Sequence, residues 1–85
     1  MPHTLPPQTH MARCDPACNM ARFYEIDLQP TLFGEVLLLR HWGRIGTRRE
    51  QCLAKTFAYD AKAMQSQTQL EQAKRRRGYR SAPAP

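Results

Sequence analysis

Residues 40–50, with the sequence RHWGRIGTRRE, contain the side chains of this protein that are best suited to bind a ligand. Four arginines surround one tryptophan, two glycines lie among them, and the only acid is the last residue. Guanidinium groups donate paired hydrogen bonds to phosphate oxygens, and an indole offers a flat surface for stacking. The segment therefore predicts a surface that binds an anionic ligand.

A second basic cluster, KRRRGYR, occupies residues 74–80 and adds five cations without an acid. The 85 residues of the sequence carry a net charge of +6. Cations at the end of a helix offset its dipole, but four in succession repel one another unless an anion lies nearby. Two separate basic clusters on one small domain favour a nucleic-acid partner. The simpler alternative is a cationic surface without a ligand.

Trp42 is open to two interpretations. Tryptophan in a short strand is more often buried than in contact with a ligand. Alternate residues of a strand share a face, so Trp42 lies beside Arg40 and Arg44, which do not belong in a core. Either this face is exposed, or the arginines form a rim around the indole.

The other polar residues do not indicate catalysis, a cofactor or a metal site. A chain of this length has a small core and little room for a deep catalytic pocket, and His41 has no recognisable nucleophile beside it. His10, Cys14 and Cys18 are spaced by four, but a proline interrupts them and a second pair of ligands is missing. An odd number of cysteines argues against a disulfide framework. Cys52 is interpreted as a small core residue.

Alternating apolar residues predict a strand over residues 22–28, with Tyr24, Ile26 and Leu28 on its buried face. The next strand, residues 35–45, is apolar on both faces in its first half. We therefore expect it to be covered on both sides of the sheet. A turn that contains glycine then leads into a third strand.

Residues 60–77 contain neither glycine nor proline, and they predict a helix. Gly78 lies where a left-handed residue commonly ends a helix, and Tyr79 follows where a side chain folds back onto the last turn. The fold class is therefore α+β: a small antiparallel meander of three to four strands with one C-terminal helix packed on it. The helical stripe expected to contact the sheet comprises Ala63, Met64, Leu70 and Ala73, with Gln67 among them.

The composition divides the chain into three parts. Residues 1–19 contain four of the seven prolines and are expected to be a flexible leader, residues 20–80 an ordered domain, and residues 81–85 a flexible tail. No apolar run approaches the roughly 20 residues of a membrane helix, and the start of the chain does not resemble a signal peptide. We expect a cytoplasmic monomer without a membrane segment.

The motifs FYEIDL, RHWGRIGT and a helix that ends in KRRRGY, in this order and spacing, resemble the WGR domain. That family is named after a Trp-Gly-Arg triplet, here Trp42, Gly43 and Arg44, and the resemblance covers about residues 21–80. WGR domains occur beside the catalytic region of DNA-dependent poly(ADP-ribose) polymerases and as small bacterial proteins. The resemblance implies a module that contacts the sugar-phosphate backbone of DNA near a 5′ end.

The resemblance also implies roles for individual residues. Trp42 would pack on a ribose or a terminal base, Arg44 would bond a phosphate or a protein partner, and Gly43 and Gly46 would shape the loop. The sequence has RREQ where the family usually has a glycine near Arg49, so its hairpin is expected to differ. The residues expected to bind nucleic acid are Arg40, Trp42, Gly43, Arg44, Arg48, Arg49, Lys55, Lys74, Arg75, Arg76 and Arg77.

Two functions from different classes remain open on the sequence alone. The first is a nucleic-acid-binding module with little sequence preference, for which DNA is the leading ligand and RNA fits the same features. The second is an adaptor that docks a protein partner through Trp42 and Arg44, because tryptophan and arginine are also favoured at protein interfaces. Neither function is enzymatic, and neither requires a cofactor.

Overall fold

The computed structural model describes residues 5, 7–47 and 50–83, which form one antiparallel sheet and one long helix. The predicted α+β class and the C-terminal helix are confirmed, and the sheet has one strand more than the upper expectation. No helix in these residues combines the length and apolarity needed to cross a membrane. In chain order the elements are β1 (Thr9–Asp15), β2 (Met20–Pro30), β3 (Val36–Arg44), β4 (Glu50–Phe57), α1 (Asp60–Arg76) and β5 (Arg80–Ser81). The strand order across the sheet is β4-β3-β2-β1-β5.

The strand β1 lies in the segment that was expected to be a flexible leader. It pairs with β2 in continuous antiparallel register over all seven of its residues. Its Met11 is 1% exposed and belongs to the core. On its other side β1 pairs with β5, whose Ser81 lies in the expected tail. The expectation of disorder is therefore corrected for residues 9–15 and for Ser81, because sheet pairing orders both.

The core lies on the face of the sheet that α1 covers. Residues directly opposite each other in an antiparallel pair lie on the same face. Tyr24, Ile26 and Leu28 of β2 therefore share this face with Val36 and Leu38 of β3. All five side chains are at most 5% exposed, as the alternating pattern predicted.

The helix contacts this face through a narrow stripe. Its buried residues are Ala63 and Gln67, which lie four positions apart on one side of the helix. The buried amide of Gln67 donates a hydrogen bond of 3.0 Å to Thr9 Oγ1 on β1, which satisfies its polar group. Met64 and Ala73, which the sequence analysis assigned to the stripe, are exposed instead. One residue along a helix turns the side chain by about 100°, so Met64 points away from the surface that Ala63 contacts.

The end of α1 follows the prediction. Gly78 has a φ of 96°, which is left-handed, and its N–H donates to the Arg75 carbonyl over 3.0 Å. The N–H of Tyr79 donates to the Lys74 carbonyl over 3.0 Å. These two hydrogen bonds define a Schellman motif. The motif turns Tyr79 back onto the core, where its side chain is 8% exposed.

The opposite face of the sheet was expected to be covered over the first half of β3, and this expectation is wrong for the described residues. The one long helix of these residues packs on the other face. Leu37 and Leu39 point to the open face and are only half-buried. Cys52, expected in the core, is exposed on the edge strand β4. The sheet is therefore packed on one side and accessible on the other.

The position of β1 in the core gives a direct test. We expect Met11→Ala to lower the free energy of unfolding by about 2–5 kcal/mol, because it leaves a cavity between the sheet and the helix. Cys14→Ala on the same strand is the matched control, because Cys14 is exposed; it should change stability by less than about 0.5 kcal/mol. Urea unfolding followed by circular dichroism measures both. If the Met11 variant is as stable as the unmodified protein, Met11 does not pack in the core and the expectation of a flexible leader is supported.

Candidate nucleic-acid interface

A groove of about 440 Å³ lies on the helix-covered face, where β2, β3 and β4 extend past the end of α1. Its floor comes from the strands, and its wall comes from the last helical turn and the residue that follows the Schellman motif. Glu50 also borders the groove, but its carboxylate Oε1 lies 4.0 Å from His41 Nδ1, on the opposite face of the sheet. The lining residues are Arg22, Trp42, Gly43, Arg44, Glu50, Gln51, Lys74 and Tyr79.

Trp42 packs against the core on one side and lines the groove on the other. Its ring packs against the core, with its centroid 6.2 Å from that of Tyr24, and it is half-buried. The guanidinium carbon of Arg40 lies 5.6 Å from the centroid of the indole, within the range of a cation–π contact. The remaining indole surface lines the groove. The arginines therefore form a rim around a tryptophan that is anchored from beneath.

Lys74 brings the C-terminal basic cluster to the same groove. Its ammonium nitrogen lies 4.5 Å from the ring centre of Tyr24 and 5.2 Å from that of Tyr79. Burial lowers the pKa of Lys74 below its ordinary value of 10.5, and repulsion by Arg77, Arg40 and Arg22 lowers that pKa further. The cations of β2, β3 and α1 are therefore close enough to destabilise one another.

Arg22 and Arg44 lie directly opposite each other in the β2–β3 pair. Like charges in this position destabilise a sheet. The guanidinium of Arg44 also donates to the backbone carbonyl of Asn19 over 3.0 Å and to its Oδ1 over 3.3 Å. Asn19 has a φ of 49° at the end of a short 3₁₀ turn. Arg44 thus holds the connection between β1 and β2, and its remaining N–H groups border the groove.

Arg22 was not among the residues expected from the sequence, although a signal for it existed. The alternation that buries Tyr24 places Arg22 on the same face, and the pairing of β2 with β3 then sets it beside Arg44. Tyr79 was expected to fold onto the helix end, and the structure adds that it lines the groove. The place of Arg22 depends on the register between strands, which the sequence does not specify, and that of Tyr79 depends on how the end of α1 packs against the sheet.

The structure gathers part of the expected set and separates the rest. Arg40, Trp42, Gly43, Arg44 and Lys74 lie in or beside the groove, and Arg77 is close enough to affect the pKa of Lys74. Gly43 pairs in regular register with its neighbours on both sides, without a bulge. Lys55 lies on the same face of the sheet but toward the far end of β4, with its ammonium nitrogen 5.1 Å from the ring centre of Phe57. Arg75 donates a hydrogen bond of 3.1 Å to Ser81 Oγ, and Arg76 is exposed. Arg48 and Arg49 lie outside the described residues.

One polar arrangement on the open face was not anticipated. His41 Nε2 lies 3.7 Å from Cys52 Sγ, and His41 Nδ1 lies 4.0 Å from Glu50 Oε1. Cys52 and Glu50 are exposed, so water competes with both contacts, and we assign no reaction to the three residues. In the part of the chain that the structure describes, no group of three or more histidine, cysteine or acidic residues could hold a metal ion.

The fold and the groove define a small binding module in which cations from three elements surround an anchored tryptophan. The chain belongs to the WGR domain family, whose model matches residues 7–85 and so includes β1. This domain is known as a nucleic-acid-binding module in poly(ADP-ribose) polymerase-like proteins.

A relative from Sinorhizobium fredii (strain NBRC 101917 / NGR234), named "Uncharacterized protein y4dW", is 42% identical to this chain over 79 residues. The alignment covers 93% of the chain but 38% of that relative. The chain therefore spans well under half of the relative's length. No solved structure is a significant match to the chain.

The crowding of cations gives a test that needs no ligand. We expect Arg40→Gln to raise the pKa of Lys74, because it removes one of the charges that repel the ammonium group. Arg75→Gln is the matched control, because Arg75 contacts Ser81 and is not among the causes of the shift. Titration of the Lys74 side chain by NMR measures both variants. If the pKa of Lys74 is the same in the Arg40→Gln variant, the guanidinium group of Arg40 lies too far from the Lys74 ammonium group to repel it.

The lowered pKa of Lys74 also has a consequence for stability. Between the folded pKa and the ordinary value of 10.5, the unfolded chain binds more protons than the folded chain at this position. The contribution of Lys74 to the free energy of unfolding therefore rises with pH in that window. Its attraction for an anion falls over the same window.

Proposed function

We propose that this protein binds the phosphate backbone of nucleic acid in the groove beside Trp42, with DNA as its principal ligand and with little preference for sequence. The observation that carries the proposal is the convergence of five cations from β2, β3 and the C-terminal end of α1 around that groove. The repulsion among these cations opposes folding, although single cations also make local contacts with the fold. An anion that enters the groove relieves the repulsion and gains from every cation at once. The five cations are Arg22, Arg40, Arg44, Lys74 and Arg77.

The chemistry of the groove favours backbone contacts over the reading of base edges. Arginine and lysine bind phosphate without sequence information, and the indole of Trp42 suits stacking on a sugar or on a base of any type. The helix presents its last turn to the groove, with the cation Lys74. Sequence readout from a helix in the major groove needs several side chains that reach base edges, whereas Lys74 is the one residue of α1 that lines the groove.

The first prediction of this proposal concerns salt. If all five cations contact phosphates, the logarithm of the binding constant should fall against the logarithm of salt concentration with a slope of about −4 to −5. A fluorescence titration of the protein into a labelled, blunt, 5′-phosphorylated duplex at several salt concentrations measures the slope. A hairpin-capped duplex of the same sequence shows whether an end is needed. Binding that does not respond to salt would contradict the proposal.

Within that titration, Lys74→Met and Lys55→Met form a matched pair. Both remove an ammonium group that lies near aromatic rings on the same face of the sheet, and methionine keeps much of the apolar stem. Lys74→Met should weaken binding to all sequences and make the salt slope shallower by about 1. Lys55→Met should leave the slope unchanged, because Lys55 lies outside the groove. Equal effects of the two substitutions would mean that binding follows net charge alone.

The role of Trp42 is separable by two substitutions. Trp42→Ala should weaken DNA binding by about 1–3 kcal/mol through the loss of stacking, and it should also lower stability because the ring packs on Tyr24. Trp42→Leu keeps apolar packing but removes the indole, so its stability should be closer to that of the unmodified protein while its binding stays weak. If Trp42→Leu binds DNA as tightly as the unmodified protein, the role of Trp42 is to pack in the core and not to contact DNA.

The adaptor function is the competing outcome. It predicts no salt-sensitive binding to DNA or RNA even at low ionic strength, and one stoichiometric protein partner that depends on Trp42 and Arg44. For this comparison Arg44→Ala is less informative than Arg22→Gln, because Arg44 also bonds Asn19. Loss of DNA binding in Arg22→Gln, with unchanged stability, would favour the groove.

A further inference from the structure

Three arginines lie in one row across the helix-covered face of the sheet. Arg13 of β1 is directly opposite Arg22 of β2, and Arg22 is directly opposite Arg44 of β3. Residues that oppose each other in antiparallel strands share a face, so the three side chains leave the same face on adjacent strands. We call Arg13, Arg22 and Arg44 the arginine row. Arg13 belongs to the segment that was expected to be a flexible leader, and it is not among the residues that line the groove.

The arginine row follows the core at a fixed spacing. Met11 is directly opposite Tyr24, and Tyr24 is directly opposite Trp42. Met11 and Tyr24 are buried, and Trp42 is half-buried. Each arginine lies two residues further along its strand than one of these three, and therefore on the same face. The arginine row thus begins where the core ends, and it continues the basic surface of the groove from β3 to β1.

The side chain of Arg13 lies against the turn that follows α1. A Cβ atom on Gly78 would lie 3.2 Å from Arg13 Nε and 3.8 Å from its guanidinium carbon. Gly78 therefore permits this close approach in addition to its left-handed backbone. Arg13 is half-buried there. Its side chain is confined by the turn before any ligand binds, which reduces the entropy lost on binding.

The arginine row is not neutralised by acids. In the part of the chain that the structure describes, both ion pairs involve a histidine, and neither includes a member of the row. Asp15 lies two positions from Arg13 on β1, but its Oδ1 accepts from the Ala17 N–H over 3.1 Å in the next turn. Like charges directly opposite each other destabilise a sheet, and Arg22 has one on each side. The row therefore has a geometry that suits a bound anion.

The dimensions of the row suit consecutive phosphates of one nucleic-acid strand. Neighbouring β-strands lie about 4.8 Å apart, so the row extends over about 10 Å. One strand of B-form DNA carries a phosphate for about every 3.4 Å of helix axis. A strand that follows the row therefore presents about two or three phosphates to the guanidinium groups, which can bind their oxygens through paired N–H groups. Trp42 lies in the adjacent row and offers a stacking surface beside this path.

We propose that the arginine row guides one nucleic-acid strand across the sheet from β3 to β1, with Arg13 as a phosphate contact beyond the groove. This inference rests on the proposed function of the groove, and it adds the direction of the bound strand and a residue of β1. The nucleic-acid strand runs across the β-strands and passes the turn after α1. An acidic protein segment is the other partner that arginines could bind. The stacking surface of Trp42 favours nucleic acid, so the acidic segment is an outcome of the test.

Arg13→Gln tests the contact in a titration into the labelled, 5′-phosphorylated duplex at several salt concentrations. It should weaken binding by about fivefold to tenfold and make the salt slope shallower by about 1. Arg80→Gln is the matched control, because it removes the same charge from the opposite face. Arg80 is exposed and lies opposite Ala12 in the β1–β5 pair. The control should leave the salt slope unchanged.

A second substitution separates binding from folding, because Arg13 also lies against Gly78. Arg13→Lys keeps the charge but not the paired N–H groups, so it should bind more weakly with an unchanged salt slope. Urea unfolding measures the stability of each variant. A role of Arg13 in folding alone would lower stability in Arg13→Gln without a change of slope in the folded protein.

A set of duplexes, each with one neutral methylphosphonate in place of a phosphate, tests the direction of the bound strand. The unmodified protein should bind more weakly when a contacted phosphate is replaced. Arg13→Gln should be insensitive to replacement at one position, because the contact is already lost. Arg22→Gln should be insensitive at a neighbouring position of the same nucleic-acid strand, because the two arginines lie on adjacent β-strands.

The outcomes separate this inference from the proposed function. If the unmodified protein shows no salt-sensitive binding to the duplex, the proposed function fails and the inference fails with it. If it binds but Arg13→Gln and Arg80→Gln have equal slopes, only the arginine row is overturned. The row is also overturned if the insensitive positions lie on different strands of the duplex. Displacement of the labelled duplex by polyglutamate as effectively as by unlabelled DNA at equal charge would assign the row to acidic protein segments.

Discussion

The ring of Tyr24 contacts both the indole of Trp42 on β3 and the side chain of Tyr79 after α1. It is buried in the central sheet, and its centroid lies 6.2 Å from that of Trp42 and 6.3 Å from that of Tyr79. Lys74 Nζ lies 4.5 Å above it, and Arg40 approaches its hydroxyl at 3.5 Å. One side chain thus positions the indole, the helix end and two cations of the groove. The core and the site share this residue, so the site depends on correct packing of the core.

The groove shows how a small domain can hold a cluster of like charges. Lys74 is partly desolvated among three guanidinium groups, and Arg22 faces Arg44 across two strands. Each feature destabilises the folded state without a ligand. The cation–π contacts of the Lys74 ammonium group with the rings of Tyr24 and Tyr79 act against this repulsion. The repulsion therefore lowers the stability of the fold, and an anion bound in the groove, as we propose, would offset it.

The two faces of the sheet differ in what they present to solvent. One face packs on α1 and ends in the basic groove, which in the WGR family points to nucleic acid. The other face stays open and carries a cavity lined by Ala12, Phe23 and Ile45. A sheet that is covered on one side can present both surfaces without enlarging its core. A sheet packed on one side only is typical of a chain of 85 residues, because a short chain can bury only a small core.

The sequence by itself determined the local features, and only the tertiary structure decided which of them meet. Period-two alternation around Tyr24 identified the buried face, and glycine at position 78 identified the helix end, because both depend on neighbouring residues alone. The strand β1 was missed since only Met11 among its side chains is fully buried, which leaves no periodic signal. Arg22 was not predicted to line the groove, and Lys55, which was predicted to bind nucleic acid together with Trp42, lies outside it, because the pairing of strands brings residues together from distant positions. Strand register and the direction of a side chain at a helix end are set by the packing of the whole core.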